Sequence, residues 1–213
     1  MIQNPLVIVD YGIGNTSSIH NMIRKVGGNA TISNDLDVLK KAKILILPGV
    51  GAFDNAVLKL KALGIWEVLN QKILVEKVPF LGICLGMQLL FESSEEGNLN
   101  GFGWLKGNVK RFNFSEITPP RSYKVPHMGW NLVNIVDHNN LYAGLEKKAR
   151  FYFVHTFYAD CMDSSDIIAT SNYGLEFACS VNKENIWGVQ FHPEKSHRFG
   201  ITFFENFLRL TKC

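Results

Sequence analysis

Val78-Pro79-Phe80-Leu81-Gly82-Ile83-Cys84-Leu85-Gly86-Met87-Gln88-Leu89-Leu90-Phe91 is the stretch from which the rest of this 213-residue chain is read. It opens as a short apolar run, the pattern of a buried strand. It closes at helical spacing, with Leu85, Gln88 and Leu89 one turn apart. Between the two lies Gly82-x-Cys84-x-Gly86, the cysteine form of a nucleophile elbow, in which a reactive side chain sits on a sharp strand-to-helix turn. Glycines suit such a turn because a neighbouring backbone must come close. A helix N-terminus aimed at the sulfur favours thiolate over thiol. A plainer reading makes Cys84 a small core residue, as free cysteines often are. The elbow alone leaves both open.

Upstream, 6–9 reads as an apolar strand running into Asp10-Tyr11-Gly12-Ile13-Gly14-Asn15. The glycines invite a dinucleotide-binding reading, but Ser17 stands where a third glycine is needed. Asn15 or Thr16 can cap the next helix, which Gly27-Gly28 ends. A strand near Ala30-Thr31-Ile32, a short helix from Asp35 and a strand at 44–47 follow. The last runs into the glycine turn Pro48-Gly49-Val50-Gly51-Ala52-Phe53. Helices are expected at 54–60 and 65–75. Apolar strands alternating with helices predict an α/β fold, a mostly parallel sheet covered on both faces. In such sheets sites form at the carboxyl ends of strands, where both glycine turns fall.

Downstream the texture changes. Ser93-Ser94-Glu95-Glu96-Gly97 is polar and loop-like, 108–112 alternates like a half-exposed strand, and Pro119-Pro120 marks a surface loop. Short β-like pieces follow at 131–136, 150–154, 167–171, 177–181 and 186–189, with no helix between the last three. They predict a mainly antiparallel extension of the first sheet. An amphipathic closing helix is expected at 199–210. No linker or repeat breaks the chain, so 1–213 reads as one domain.

An apolar fraction of 46% suffices for a full core. The net charge of +3 is scattered, and no basic run points to nucleic acid. The N-terminus lacks the pattern of a signal peptide, and no apolar run is long enough for a membrane span. The four cysteines, Cys84, Cys161, Cys179 and Cys213, have neither metal-ligand spacing nor the look of a disulfide framework. A reducing cytoplasm fits that usage. No metal or cofactor is expected.

A cysteine that cleaves an amide needs a base, a group to orient the base, and an oxyanion hole. Gly188-Val189-Gln190-Phe191-His192-Pro193-Glu194-Lys195-Ser196 offers the first two. His192 follows a strand, and Glu194 two residues on shares its side in extended backbone, so the carboxylate can hold one imidazole nitrogen while the other faces the thiol. Two backbone N–H groups would form the oxyanion hole, from Leu85 and from Val50. His20, His138 and His197 read as solvated; His127 and His155 sit in richer contexts.

Gly82-Ile83-Cys84-Leu85-Gly86-Met87-Gln88 together with Gln190-Phe191-His192-Pro193-Glu194 resembles the class I, triad-bearing glutamine amidotransferases. Pro48–Phe53, Pro126-His127-Met128-Gly129-Trp130-Asn131 and Tyr152-Phe153-Val154-His155-Thr156 narrow the resemblance to the glutaminase subunits of imidazole glycerol phosphate synthase. It covers nearly the whole chain. It implies that Cys84 attacks the side-chain amide of glutamine, with His192 and Glu194 completing the triad. It also implies that Gly51 and Gln88 help seat glutamine and that the backbone at Thr156 and Phe157 meets its amino-acid end. Ammonia would pass, without entering bulk solvent, to a separate (β/α)8-barrel cyclase subunit in a heterodimer. Asn15, Trp130, Tyr152 and Lys195 match positions at that subunit interface.

Two departures stand out. Thr16-Ser17-Ser18 lacks the basic residue expected after Asn15. Ser93–Gly97 followed by Trp104 resembles paralogues that supply ammonia for surface-sugar amidation. That pathway is the alternative acceptor. A non-catalytic subunit that keeps the fold and a stand-alone cysteine peptidase are the alternatives of other classes.

Overall fold

The structure, a computed structural model, describes residues 5–115, 123–136, 140–145 and 149–212. The Pro119-Pro120 loop, His138 and Cys213 lie outside the described residues. The first half runs β1 (Leu6–Val9), α1 (Thr16–Lys25), β2 (Ala30–Ser33), α2 (Leu36–Lys41), β3 (Ile44–Gly49), α3 (Phe53–Ala62), α4 (Ile65–Asn70), a π-helical turn (Gln71–Val75), β4 (Phe80–Cys84) and α5 (Leu85–Gln88). The second half runs β5 (Ser93–Ser94), β6 (Gly107–Arg111), β7 (His127–Leu132), β8 (Asn134–Ile135), β9 (Arg150–His155), β10 (Phe157–Cys161), β11 (Ile167–Tyr173), β12 (Leu175–Lys183), β13 (Ile186–Val189) and α6 (His197–Thr211).

Local chemistry sets the helix starts. The Asn15 side chain accepts from Ser18 N at 3.3 Å and opens α1. Asp35 accepts from Asp37 N at 2.8 Å and opens α2. Strands β1, β3 and β4 are buried on both faces. In β1, Leu6 and Ile8 join one core and Val7 and Val9 the other. Ile19 and Ile23 of α1 and Phe203, Phe204 and Phe207 of α6 cover the first. Phe53, Ala56, Val57 and Leu60 of α3 cover the second. Two buried faces explain why these strands read as continuous apolar runs.

The main sheet runs β2-β1-β3-β4-β13-β12-β10-β6-β5, with β11 on β12 and β8 on β11. From β2 to β13 neighbours are parallel; β12, β10, β6, β11 and β8 add antiparallel pairs. The expected antiparallel extension is present, with corrections at three places. Residues 186–189 do not belong wholly to it. β13 makes an antiparallel hairpin with β12 but lies parallel to β4, with Gly188 opposite Gly82 and Val189 opposite Ile83. A short apolar strand reads the same beside either kind of neighbour. Residues 131–136 are not one strand: β7 pairs with β9 in a separate two-stranded sheet, while β8 pairs with β11. Ser93 and Ser94, expected in a loop, form β5 alongside β6.

Among the described residues no helix is long and apolar enough to cross a membrane.

Candidate active site

β4 delivers Cys84 to the carboxyl edge of the parallel strands in a backbone conformation that side-chain-bearing residues seldom adopt, φ 56° and ψ −111°. Packing holds it there. A Cβ on Gly86 would stand 1.9 Å from the Leu47 carbonyl oxygen, so α5 leaves Cys84 in contact with the end of β3. The helix behind the elbow is shorter than the apolar spacing suggests. α5 covers four residues and ends in a turn, so the dipole aimed at the sulfur is that of a single turn.

β13 lies next to β4, which puts Gln190 beside Cys84. Gln190 Nε2 stands 3.7 Å from Cys84 Sγ. Its Oε1 accepts from Gln88 Nε2 at 3.0 Å, and Gln88 Nε2 also donates to the Phe157 carbonyl at 3.1 Å. The sulfur faces the Val154 carbonyl oxygen at 4.0 Å.

His192 follows β13, and its Nδ1 meets Glu194 Oε1 at 2.8 Å with both side chains almost fully buried. The route to this pair differs from the extended backbone expected. His192 is extended, but Pro193–Lys195 form a 3-10 turn, and that turn swings Glu194 back onto the ring. The backbone is pinned on both sides. His192 N donates to the Tyr152 carbonyl at 2.8 Å. Ser196 Oγ donates to the His192 carbonyl at 2.6 Å and accepts from Tyr152 N at 3.0 Å. His192 Nε2 has no hydrogen-bond partner among the described residues. Burial opposes charge on this imidazole. The Cys84 sulfur and the Glu194 carboxylate outweigh it and push the ring up to about 10.

Cys84 and His192 face one cavity of about 420 Å³, within the range of small-molecule sites. Val50, Gly51, Leu85, Gln88, Thr156 and Phe157 line it as well, so these predicted positions come together. Glu194 stands behind His192. Val50 and Gly51 form an exposed rim, with Gly51 at φ 93°. The near end of that turn is anchored from below: the buried Tyr11 hydroxyl donates to the Pro48 carbonyl at 2.9 Å.

Trp130, Tyr152 and Lys195 form a surface cluster beside the His192 turn. Trp130 meets Tyr152 edge-on at 6.3 Å, and Lys195 Nζ lies 5.8 Å above the Tyr152 ring. His197, expected to be simply solvated, is exposed but stacks on Trp130 at 5.3 Å. Asn15 caps α1, and α1 packs against the Pro193–Lys195 turn.

Sequence reasoning gave no role to Glu96, Gln190 or His155. Glu96 lines the cavity and accepts from Phe53 N at 2.9 Å, which supplies the cap that Ala52 cannot. His155 lines the cavity too. Gln190 carried a usable signal, since it sits two residues before His192 at a strand end. Glu96 carried none, because an acidic loop is ordinarily solvated. Among the described residues no group of three or more His, Cys, Asp or Glu could hold a metal ion.

Comparison with known proteins accords with this geometry. The model of the family described as glutamine amidotransferase class-I matches residues 7–210. Imidazole glycerol phosphate synthase subunit HisH 2 of Methanococcus maripaludis is 50% identical over 204 residues, covering 96% of this chain and 98% of that protein. The HisH subunit of Leptospira borgpetersenii is 46% identical over 203 residues, covering 95% and 98%. Among solved structures, a glutamine amidotransferase matches with a TM-score of 0.72 at 17% identity, covering 97% of this chain and 99% of that one. PurLQS from Thermotoga maritima matches with 0.71 at 19% identity, covering 98% and 99%. At such identities these structures speak for the fold alone. With a family model spanning nearly its whole length and relatives of up to half identity, the chain belongs to the class-I glutamine amidotransferases, in the branch of the HisH subunits of imidazole glycerol phosphate synthase.

Proposed function

We propose that this chain is a glutaminase subunit that hydrolyses glutamine to glutamate and ammonia. The ammonia passes to a (β/α)8-barrel cyclase partner making imidazole glycerol phosphate and AICAR in histidine biosynthesis. The observation that carries the chemistry is the buried His192–Glu194 pair, whose free Nε2 shares a cavity with Cys84. Cys84 Sγ attacks the side-chain carbonyl of glutamine. The N–H groups of Leu85 and Val50 receive the developing oxyanion. His192 hands a proton to the departing ammonia and then takes one from the water that hydrolyses the thioester, while Glu194 holds the ring throughout. The backbone at Thr156 and Phe157 receives the amino-acid end of glutamine, and Gly51 and Gln88 complete its seat.

The partner reading is supported by the names of the HisH relatives and by the exposed cluster of Trp130, Tyr152 and Lys195 against the His192 turn. Asn15 extends that surface through α1. The features that resembled sugar-pathway paralogues have internal causes. Trp104 is buried between aromatic neighbours and donates to Asn70 Oδ1 at 2.8 Å, and Glu96 caps α3. A thiol nucleophile needs a reducing compartment, which fits the cytoplasm.

The decisive measurement is glutamate release by the chain alone, with the cyclase partner of a HisH-type subunit, and with partner plus acceptor. The chain alone should be nearly silent, because the exposed Val50 peptide is free to turn its N–H away from the oxyanion position. Loss of one such donor lowers turnover on the order of 100- to 1000-fold. Full rate from the chain alone would mean a free-standing hydrolase.

A further inference from the structure

β7 presents different chemistry on its two faces. Met128, Trp130 and Leu132 point outward. His127 points inward and is 3% exposed, stacked between Phe153 and Tyr173. Across the β7–β9 pair it stands opposite His155, which lines the cavity. An apolar pair would fill this aromatic box as well, and burying two imidazoles is unfavourable unless their nitrogens are satisfied.

All four nitrogens are satisfied, in one direction. Asn131 Nδ2 donates to the Asn172 carbonyl at 2.8 Å, and Asn131 Oδ1 accepts from Leu132 N at 2.8 Å, which fixes the orientation of the amide. Nδ2 also faces His127 Nε2 at 3.3 Å, so that nitrogen is an acceptor and the His127 proton sits on Nδ1. His127 Nδ1 is 2.9 Å from His155 Nε2, which must therefore accept. The His155 proton is then on Nδ1, which donates to the Phe157 carbonyl at 2.7 Å. The same carbonyl receives Gln88 Nε2, and Gln88 donates to Gln190, whose Nε2 faces the sulfur. Burial keeps both rings neutral, pulling His127 down to about 4 and His155 down to about 3.

We propose that His127 and His155 are positioning residues for glutamine: two neutral imidazoles, each protonated on Nδ1, that fix the Phe157 carbonyl and Gln88 where the amino-acid end of the substrate arrives. The inference rests on the reading of Thr156 and Phe157 given above. It differs from the triad in kind. His192 keeps one nitrogen free for chemistry, whereas His127 and His155 keep none.

Two alkylating reagents test it on the full chain assembled with the cyclase partner. A glutamine-shaped diazoketone carries the amino-acid end; iodoacetamide does not. His127→Phe keeps the ring in the aromatic box and removes the hydrogen bonds. It should slow labelling of Cys84 by the diazoketone about ten-fold while leaving iodoacetamide within about two-fold. His127→Gln, which retains a donor, should recover most of the difference. Slowing of both reagents together, or of neither, overturns the inference. If the unaltered chain itself shows no preference for the diazoketone at Cys84, the glutaminase reading falls and this inference with it. Preference intact in the unaltered chain and unchanged in His127→Phe removes this inference alone. Imidazole ¹H–¹⁵N spectra of the unaltered chain give an independent readout. Both rings should show the Nδ1–H tautomer, and an Nε2–H signature at either overturns the assignment.

Discussion

Gly86, just behind Cys84, and Gly51, on the cavity rim, are glycines for opposite reasons. A side chain on Gly86 would collide with the Leu47 carbonyl oxygen, because α5 is pressed onto β3. A side chain on Gly51 would meet nothing within 4 Å; that position needs glycine because φ is 93°. One glycine exists because there is no room, the other because the chain turns in open space. The nucleophile wall is therefore determined by packing on every side, and the Val50–Gly51 rim by little beyond its own turn. Local freedom collects where few contacts oppose it. The proposed roles, a steady Cys84 and a Val50 N–H that turns, need that asymmetry.

The sharpest way to break the comparison is at the sulfur. Cys84→Ala should lower glutamine-dependent turnover on the order of 10⁴-fold or more, while activity of the assembled enzyme with added ammonium survives. Loss of both activities would make Cys84 a packing residue of its wall. Next in size is Gly86→Ala, which should destabilise the fold by about 3 kcal/mol through overpacking, read as a lower urea midpoint. An unchanged midpoint would show that α5 can lift from β3, and that the fixed wall is not fixed. Gly51→Ala should lower stability by only about 1 kcal/mol, the penalty for left-handed backbone. Its glutaminase rate should still fall about ten-fold or more, since the altered peptide neighbours the proposed donor. Equal small effects on both readouts would take the rim out of catalysis.

The smallest effect concerns the buried histidine pair. His127 and His155 titrate below the ordinary histidine value, at about 4 and about 3. The unfolded chain therefore binds more protons from about pH 6.5 downward, and the stability these rings contribute, complete above that value, is lost as pH falls. The loss is under about 1 kcal/mol per histidine over the first pH unit below 7 and grows toward pH 3. His192 has the reverse sign, since its stabilisation is complete below about 6.5 and disappears as pH rises toward about 10. Thermal midpoints across pH 5–8 should show a flatter acid side in His127→Phe. An identical slope would mean that His127 is charged in the folded chain.

The elbow was legible because Gly82-x-Cys84-x-Gly86 is a local pattern with a local cause, and Cys84 does adopt the strained turn it announces. The same holds for the caps at Asn15 and Asp35 and for the two-faced strands β1 and β3. What did not show in advance depends on neighbours far along the chain. Nothing within 186–189 says that one edge meets a parallel strand and the other an antiparallel one. Nothing near Glu96 says that it caps a helix starting 43 positions earlier. His127 and His155 stood out as histidines in richer contexts, but the direction of their protons follows only from Asn131 and Phe157 at the two ends.

The neighbouring placement of β4 and β13 also has a consequence in time. Cys84 leaves the ribosome about a hundred residues before His192 does. Until β12 and β13 have been made, the edge of β4 opposite β3 stays unpaired, and the thiol has neither Gln190 nor the imidazole beside it. A nascent chain thus displays an elbow but no hydrolase. Cys84 and His192 come together only when β13 slots in beside β4, the same event that pairs the open edge of β4. Reactivity and completion of the fold arrive together, so an unfinished or misassembled copy has no working site with which to consume glutamine.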